Sequence, residues 1–160
     1  MKINKTNAAR LLDKGKILYE LIPYEFDEND LSANHVAEAL HEPIERVFKT
    51  LVLKGDKSSY FVCVIPGNSE VDLKKAARGS GNKNCELIPQ KDLFPLTGYV
   101  RGGCSPVGMK KHFPTYIHES CLLYDHIFVS AGQRGLQLKI RTADLVEITR
   151  AGTVDITLRM

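Results

Sequence analysis

Apolar residues recur along this chain at both helical and strand spacing, and the two periods follow one another in no regular order. Ala8, Leu11 and Leu12 form a short stripe that predicts a first helix, stopped at Gly15. Residues 17–26 alternate loosely and predict a strand. Ser32 is placed to cap a second helix carrying Val36, Ala39 and Leu40 on one face, and Pro43 opens a short helical turn. The clearest strand is 47–53; another follows at 59–65, and Gly55-Asp56-Lys57 between them reads as a hairpin turn. Asp72 heads a basic helix closed by glycine, and 89–96 predicts a further short helix. Glycine and proline then dominate 97–114, which predicts a long shaped loop. Two more strands are expected at 127–129 and 136–140, with a turn over 130–135. Thr142 is expected to cap a last helix, followed by a short strand at 154–156. Hairpin-linked strands among irregularly placed helices predict an α/β mixed (α+β) fold. Its core is a mixed, mostly antiparallel sheet or partial barrel surrounded by helices, not a doubly wound nucleotide fold.

Composition narrows the class. The 160 residues suit one domain spanning 1–160, 43% hydrophobic and 26% charged. The net charge of +3 permits a polyanionic partner without demanding one. The four cysteines, Cys63, Cys85, Cys104 and Cys121, form no C-x-x-C pair, and the five histidines show no H-E-x-x-H spacing. Neither metal nor cofactor is expected. The polar N-terminus lacks the apolar core of a signal peptide, and no segment reaches the roughly 20 apolar residues needed to cross a bilayer. A reduced, cytoplasmic protein with no membrane contact is expected.

Candidate chemistry falls in three places. Lys49 shares one face of its strand with Val47, Leu51 and Leu53. A buried ammonium is costly, so this lysine has a lowered pKa, grips an anion, or snorkels to water at the strand edge. The loop from Arg101 through Gly102, Gly103, Cys104, Ser105 and Pro106 to Lys110 and Lys111 offers closely approaching backbone N–H groups that suit a developing oxyanion. A plain glycine-rich connection reads the same way. Ser130 to Gly135 is a tight turn or a pocket wall. Lys74 and Lys75, with Lys110 and Lys111, are either a phosphate-binding patch or a solvated face, and Tyr99, His112 and Phe113 are candidates for stacking on bases. Cys104 as a nucleophile lacks a histidine at a diagnostic spacing.

These segments also carry a resemblance. Val47-Phe48-Lys49-Thr50-Leu51, Thr97-Gly98-Tyr99 leading into Gly102-Gly103-Cys104-Ser105-Pro106-Val107-Gly108-Met109-Lys110-Lys111, and Val129-Ser130-Ala131-Gly132-Gln133-Arg134-Gly135-Leu136 resemble the YbaK/EbsC family over nearly the whole chain. The nearest branch is the cysteinyl-tRNA(Pro) deacylases, related to the editing domain inserted in bacterial prolyl-tRNA synthetases. The resemblance implies that the ester of a mischarged Cys-tRNA(Pro), and also of Cys-tRNA(Cys), is cleaved by attack of the substrate's own thiol. It implies Lys49, Gly102 and Gly103 as catalytic positions, and Tyr24, Thr50, Ser105, Pro106, Ser130 and Gly132 as substrate-binding positions. It implies aminoacylated tRNA as partner, recruited by prolyl-tRNA synthetase in some relatives. The chain departs from relatives at Ser32, Cys104 and Gln137, which bears on selectivity. Editing of another mischarged tRNA, such as Ala-tRNA(Pro), and a tRNA-binding module without turnover are the alternatives.

Overall fold

The computed structural model describes residues 5–158. Helix α1, Asn7–Lys14, is capped by the Thr6 hydroxyl and ends at Gly15, burying Ala8, Ala9 and Leu12 while Leu11 stays partly exposed. Strand β1, Tyr19–Pro23, is shorter than the alternation suggests. Helix α2, Ala33–Leu40, starts where Ser32 accepts from the His35 N–H, and a 3-10 turn follows Pro43. Strands β2, Phe48–Gly55, and β3, Tyr60–Pro66, form the expected antiparallel hairpin. Helix α3, Leu73–Ser80, is capped by Asp72 and closed by Gly81 in the left-handed region. Strand β4, Cys85–Leu87, precedes a 3-10 turn and helix α4, Leu93–Thr97. Strand β5, Thr115–His118, and a 3-10 segment, Glu119–Leu123, lie beyond the long loop. Then come β6, His126–Gln133, β7, Leu136–Arg141, helix α5, Thr142–Thr149, and β8, Gly152–Val154.

The strands form two sheets that do not close on one another. One has the order β4-β2-β3-β5-β8 and the other β1-β7-β6. The second is wholly antiparallel, whereas β3–β5 and β5–β8 pair in parallel. A mixed α+β architecture with helices around the sheets is what the sequence pattern predicts. The largest core packs Phe48 and Val52 of β2, Val62 and Val64 of β3, and Ile117 against Ile127, Val129, Leu136, Leu138 and Ile140 of the other sheet. Burial of this apolar surface is the main stabilising term. The opposite face of the five-stranded sheet buries Leu53, Phe61, Cys63 and Ile65 under Ala76 of α3. A bridge between Val47 and Phe128 joins the sheets, and α2 packs there through Val36 and Ala37.

Two local expectations need correction. The turn expected over 130–135 is confined to Arg134 and Gly135, because β6 runs on to Gln133 through a bulge after Ser130. Thr142 is the first residue of α5 rather than its cap, and its hydroxyl donates to the Tyr124 carbonyl at 2.6 Å.

Candidate active site

Strand β2 pairs with β3 over its whole length, but β4 covers its other edge only from Leu53 to Gly55. Along the uncovered stretch lies a cavity of about 600 Å³, lined by both faces of residues Val47 to Val52. Its remaining walls come from Leu31 to Val36, from Leu87 to Leu93, from the loop at Arg101, Gly102 and Cys104, and from Ser130 and Gln137 of the second sheet. The cavity therefore lies at the join between the sheets, with walls from both.

Lys49 reaches this space. It stands opposite Ile65 in the register, half-buried, and its Nζ donates to the Gly67 carbonyl oxygen at 3.3 Å. Burial holds its pKa below the ordinary lysine value, partly offset by the Glu70 carboxylate. Lys49 lines the cavity, and the Gly67 carbonyl is the hydrogen-bond partner of its ammonium.

Thr50 points from the other face of β2. Its Oγ1 is buried and has no hydrogen-bond partner, and the same holds for Gln137 Oε1 on β7, both among the described residues. Gln137 is 4% exposed. Buried polar atoms normally find partners, and these two unpartnered oxygens come from the two sheets that meet at the cavity. Ser130, next to Gln137 in the register, accepts from the Gly132 N–H at 3.1 Å, which fixes its hydroxyl.

Gly102 and Gly103 differ in role. Gly102 lines the cavity with φ +83, and a side chain there would press on Leu31. A Cβ at Gly103 would come within 3.0 Å of the backbone of Gln133 and Arg134, and the Gly103 N–H donates to the Val100 carbonyl at 2.9 Å. Its N–H is thus occupied. The N–H groups of Gly102 and Cys104 have no acceptor among the described residues and flank the same cavity.

The other expected site residues sit elsewhere. Tyr24 packs behind the wall on Val36, Val47 and Phe128. Ser105 is fully buried, with its hydroxyl accepting from the Val107 N–H at 3.2 Å. Pro106 and Lys111 line a second cavity of about 340 Å³ with Leu11, His112 and Phe113. Gly132, at φ +108, has no room for a side chain beside the Tyr99 ring, and meets the cavity only through Ser130. Lys74 is exposed. Lys75 is tied to Asp155 at 2.8 Å and to the Thr157 carbonyl at 2.9 Å, so it is not a free phosphate ligand. Lys110 lies with its Nζ 5.2 Å from the Phe94 ring centre.

Sequence reasoning underused Gln137, Arg101 and Gly67. Gln137 carried a signal as the polar residue inside an apolar run, Leu136-Gln137-Leu138. Gly67 lay in a proline-glycine turn, and a side chain there would collide with Ala33 at 2.4 Å. The titratable side chains lining the cavity are Lys49, Arg101 and Cys104, with no histidine or carboxylate among them. Burial pushes the Cys104 thiol up to about 12. No potential metal cluster occurs among the described residues, and no helix there is long and apolar enough to cross a membrane.

Known proteins match both sequence and shape. The chain is 47% identical over 155 residues to EbsC of Enterococcus faecalis, named as a proposed Cys-tRNA(Pro)/Cys-tRNA(Cys) deacylase, covering 97% of this chain and 94% of that one. It is 25% identical over 143 residues to the proline–tRNA ligase of Staphylococcus aureus strain Newman, covering 84% of this chain and 25% of that enzyme. A solved structure described as a proposed trans-editing enzyme for prolyl-tRNA synthetase superposes with TM-score 0.83 at 22% identity, covering 96% of each chain, which establishes a shared fold. The family model for the aminoacyl-tRNA editing domain matches residues 27–148, so this chain belongs to the aminoacyl-tRNA editing domain family.

Proposed function

We propose that this chain is an aminoacyl-tRNA deacylase that cleaves the ester of mischarged Cys-tRNA(Pro), and also of Cys-tRNA(Cys). One observation carries this reading above others. The cavity supplies a cation, free N–H groups and orphaned oxygen acceptors, yet offers no base to activate a protein hydroxyl and keeps its one thiol protonated. Such a site positions and polarises a bond that the substrate breaks itself.

The cysteine thiol of the substrate attacks its own carbonyl carbon. A carbon–sulfur bond forms, the carbon–oxygen bond to the ribose breaks, and the thiol proton passes to the departing ribose oxygen. The products are a cyclic thiolactone and free tRNA. The N–H groups of Gly102 and Cys104 receive the carbonyl oxygen as it becomes negative. Lys49 holds the phosphate or ribose of the terminal nucleotide. Thr50 Oγ1 and Gln137 Oε1 accept from the α-ammonium of the esterified amino acid, and Ser130 completes that wall. Gly103, Gly132 and Tyr24 position these groups from behind. Residues 1–160 act as one editing unit in the cytoplasm on aminoacylated tRNA, and the kinship with proline–tRNA ligases supports recruitment by prolyl-tRNA synthetase.

The test compares cysteinyl-, alanyl- and prolyl-tRNA(Pro) as substrates. Release of cysteine with sparing of alanine and proline is expected, since alanine lacks the attacking sulfur. Equal release of alanine would overturn the thiol-assisted step and favour editing of Ala-tRNA(Pro). Binding without turnover of any ester would overturn the deacylase reading.

A further inference from the structure

The three rings near the long loop that suggest base stacking do not line the cavity. Tyr99 is 7% exposed, with its hydroxyl donating to the Val107 carbonyl at 2.7 Å, and Phe113 is 6% exposed against Tyr60. His112 belongs to the second cavity. The open ring on this side is Phe94 of α4, which is 54% exposed. Beside it Lys110 donates its backbone N–H to the Thr97 carbonyl at 3.0 Å, runs its methylenes past Gly98, and places Nζ over the ring.

This pair adjoins, along the chain, segments that line the proposed active site. Leu93, the neighbour of Phe94, lines the cavity, as does Gln90 in the preceding turn. Arg101 lines it too, and its Nη1 lies 3.5 Å from Gln90 Oε1. Leu87 and Val100 are exposed on the same stretch. From 86 to 112 the acidic residues are Glu86 and Asp92, against Lys91, Arg101, Lys110 and Lys111. An exposed aromatic face with cations around it matches single-stranded nucleic acid, where the ring takes a base and the charges take phosphates.

We propose that Phe94 and Lys110 form a docking platform for the unpaired 3′ nucleotides of the tRNA, outside the cavity that receives the terminal ester. Phe94 stacks on a base, and Lys110 meets the flanking phosphate. The platform rests on the deacylase reading, since a strand whose end enters the cavity leaves its preceding nucleotides outside it.

The experiment uses the full chain and tRNA carrying 2-aminopurine next to the terminal nucleotide, whose fluorescence reports stacking. Phe94→Ala is expected to weaken binding about ten-fold, the loss of one base stack, and to abolish the fluorescence change. Phe94→Trp should restore both. Lys110→Ala should lower the salt dependence of Kd by about one phosphate contact. With cysteinyl-tRNA, Phe94→Ala should raise KM and spare kcat, whereas with a cysteinyl ester of adenosine alone it should change neither. Unchanged RNA binding in Phe94→Ala would overturn the platform and leave the patch to a protein partner, with deacylation intact. Absence of turnover by the unaltered protein would instead overturn the deacylase reading, while the fluorescence and Kd still decide the platform.

Discussion

Gly67 presents its carbonyl oxygen 3.3 Å from the Nζ of Lys49. The Gly67 carbonyl and the Glu70 carboxylate only partly compensate for the half-burial of this ammonium. The lysine is therefore kept at a cost to stability, as expected of a group retained for what it binds.

Lys49→Met should lose at least about 100-fold in deacylation, the scale for removing a charge-stabilising group. Its Tm at neutral pH should equal or exceed that of the unaltered protein. The sign follows from the lowered pKa. Between that value and the ordinary 10.5, the unfolded chain holds a proton that the folded chain has released, so native stability rises with pH. The Met variant lacks this rise, so thermal melts from neutral to alkaline pH should converge. Divergence would reject a half-buried, partly desolvated cation at 49.

Thr50→Val removes an acceptor that has no partner in the free protein. Deleting an orphan costs no hydrogen bond, so stability should hold or rise by up to about 1 kcal/mol, read as a Tm increase of about 2–4 °C. Deacylation should fall through KM. A loss of Tm would show that Thr50 supports the fold instead of the ligand.

Cys104→Ser should retain deacylation, because a thiol pushed up to about 12 is not ionised at neutral pH. Alkylation with mass-spectrometric mapping provides a second readout. Cys85, the partly exposed one, should react before the buried Cys63, Cys104 and Cys121. Early modification of Cys104 with parallel loss of activity would reinstate it as a nucleophile.

Gly103→Ala should be destabilising by about 1–3 kcal/mol, measured by denaturant unfolding. The added methyl meets backbone atoms at 3.0 Å, and those cannot swing aside as a side chain can. Gly102→Ala is a different case. It strains a positive φ and pushes Leu31 into the cavity, so activity should suffer more than stability.

Much of the fold was legible in the chain. Ser32 and Asp72 cap helices where their position suggests, and the hairpin of β2 and β3 follows from alternation and its turn. Strands β4 and β5 escaped because each has at most four residues, too few for a period, and β5 exists by parallel pairing with β3 and β8, distant in sequence. Of the residues expected at the site, Lys49, Thr50, Gly102 and Ser130 line the cavity. Ser105 and Pro106 were misplaced because adjacency along a loop does not say which side a residue faces; Ser105 turns inward and Pro106 lines the other cavity. The exposure of Phe94 is not legible either, since how far a ring in a short helix reaches solvent depends on packing.

The parallel pairing of β8 with β5, and of β5 with β3, ties Thr153 to the centre of the sheet that carries Lys49. During synthesis that sheet stays incomplete until the stretch around 152–154 has left the ribosome, and β1 likewise waits for β7 to emerge. Non-local pairings of this kind form late. The walls of the Lys49 cavity run from Leu31 to Gln137, so a fragment that stops before β7 lacks one side of it.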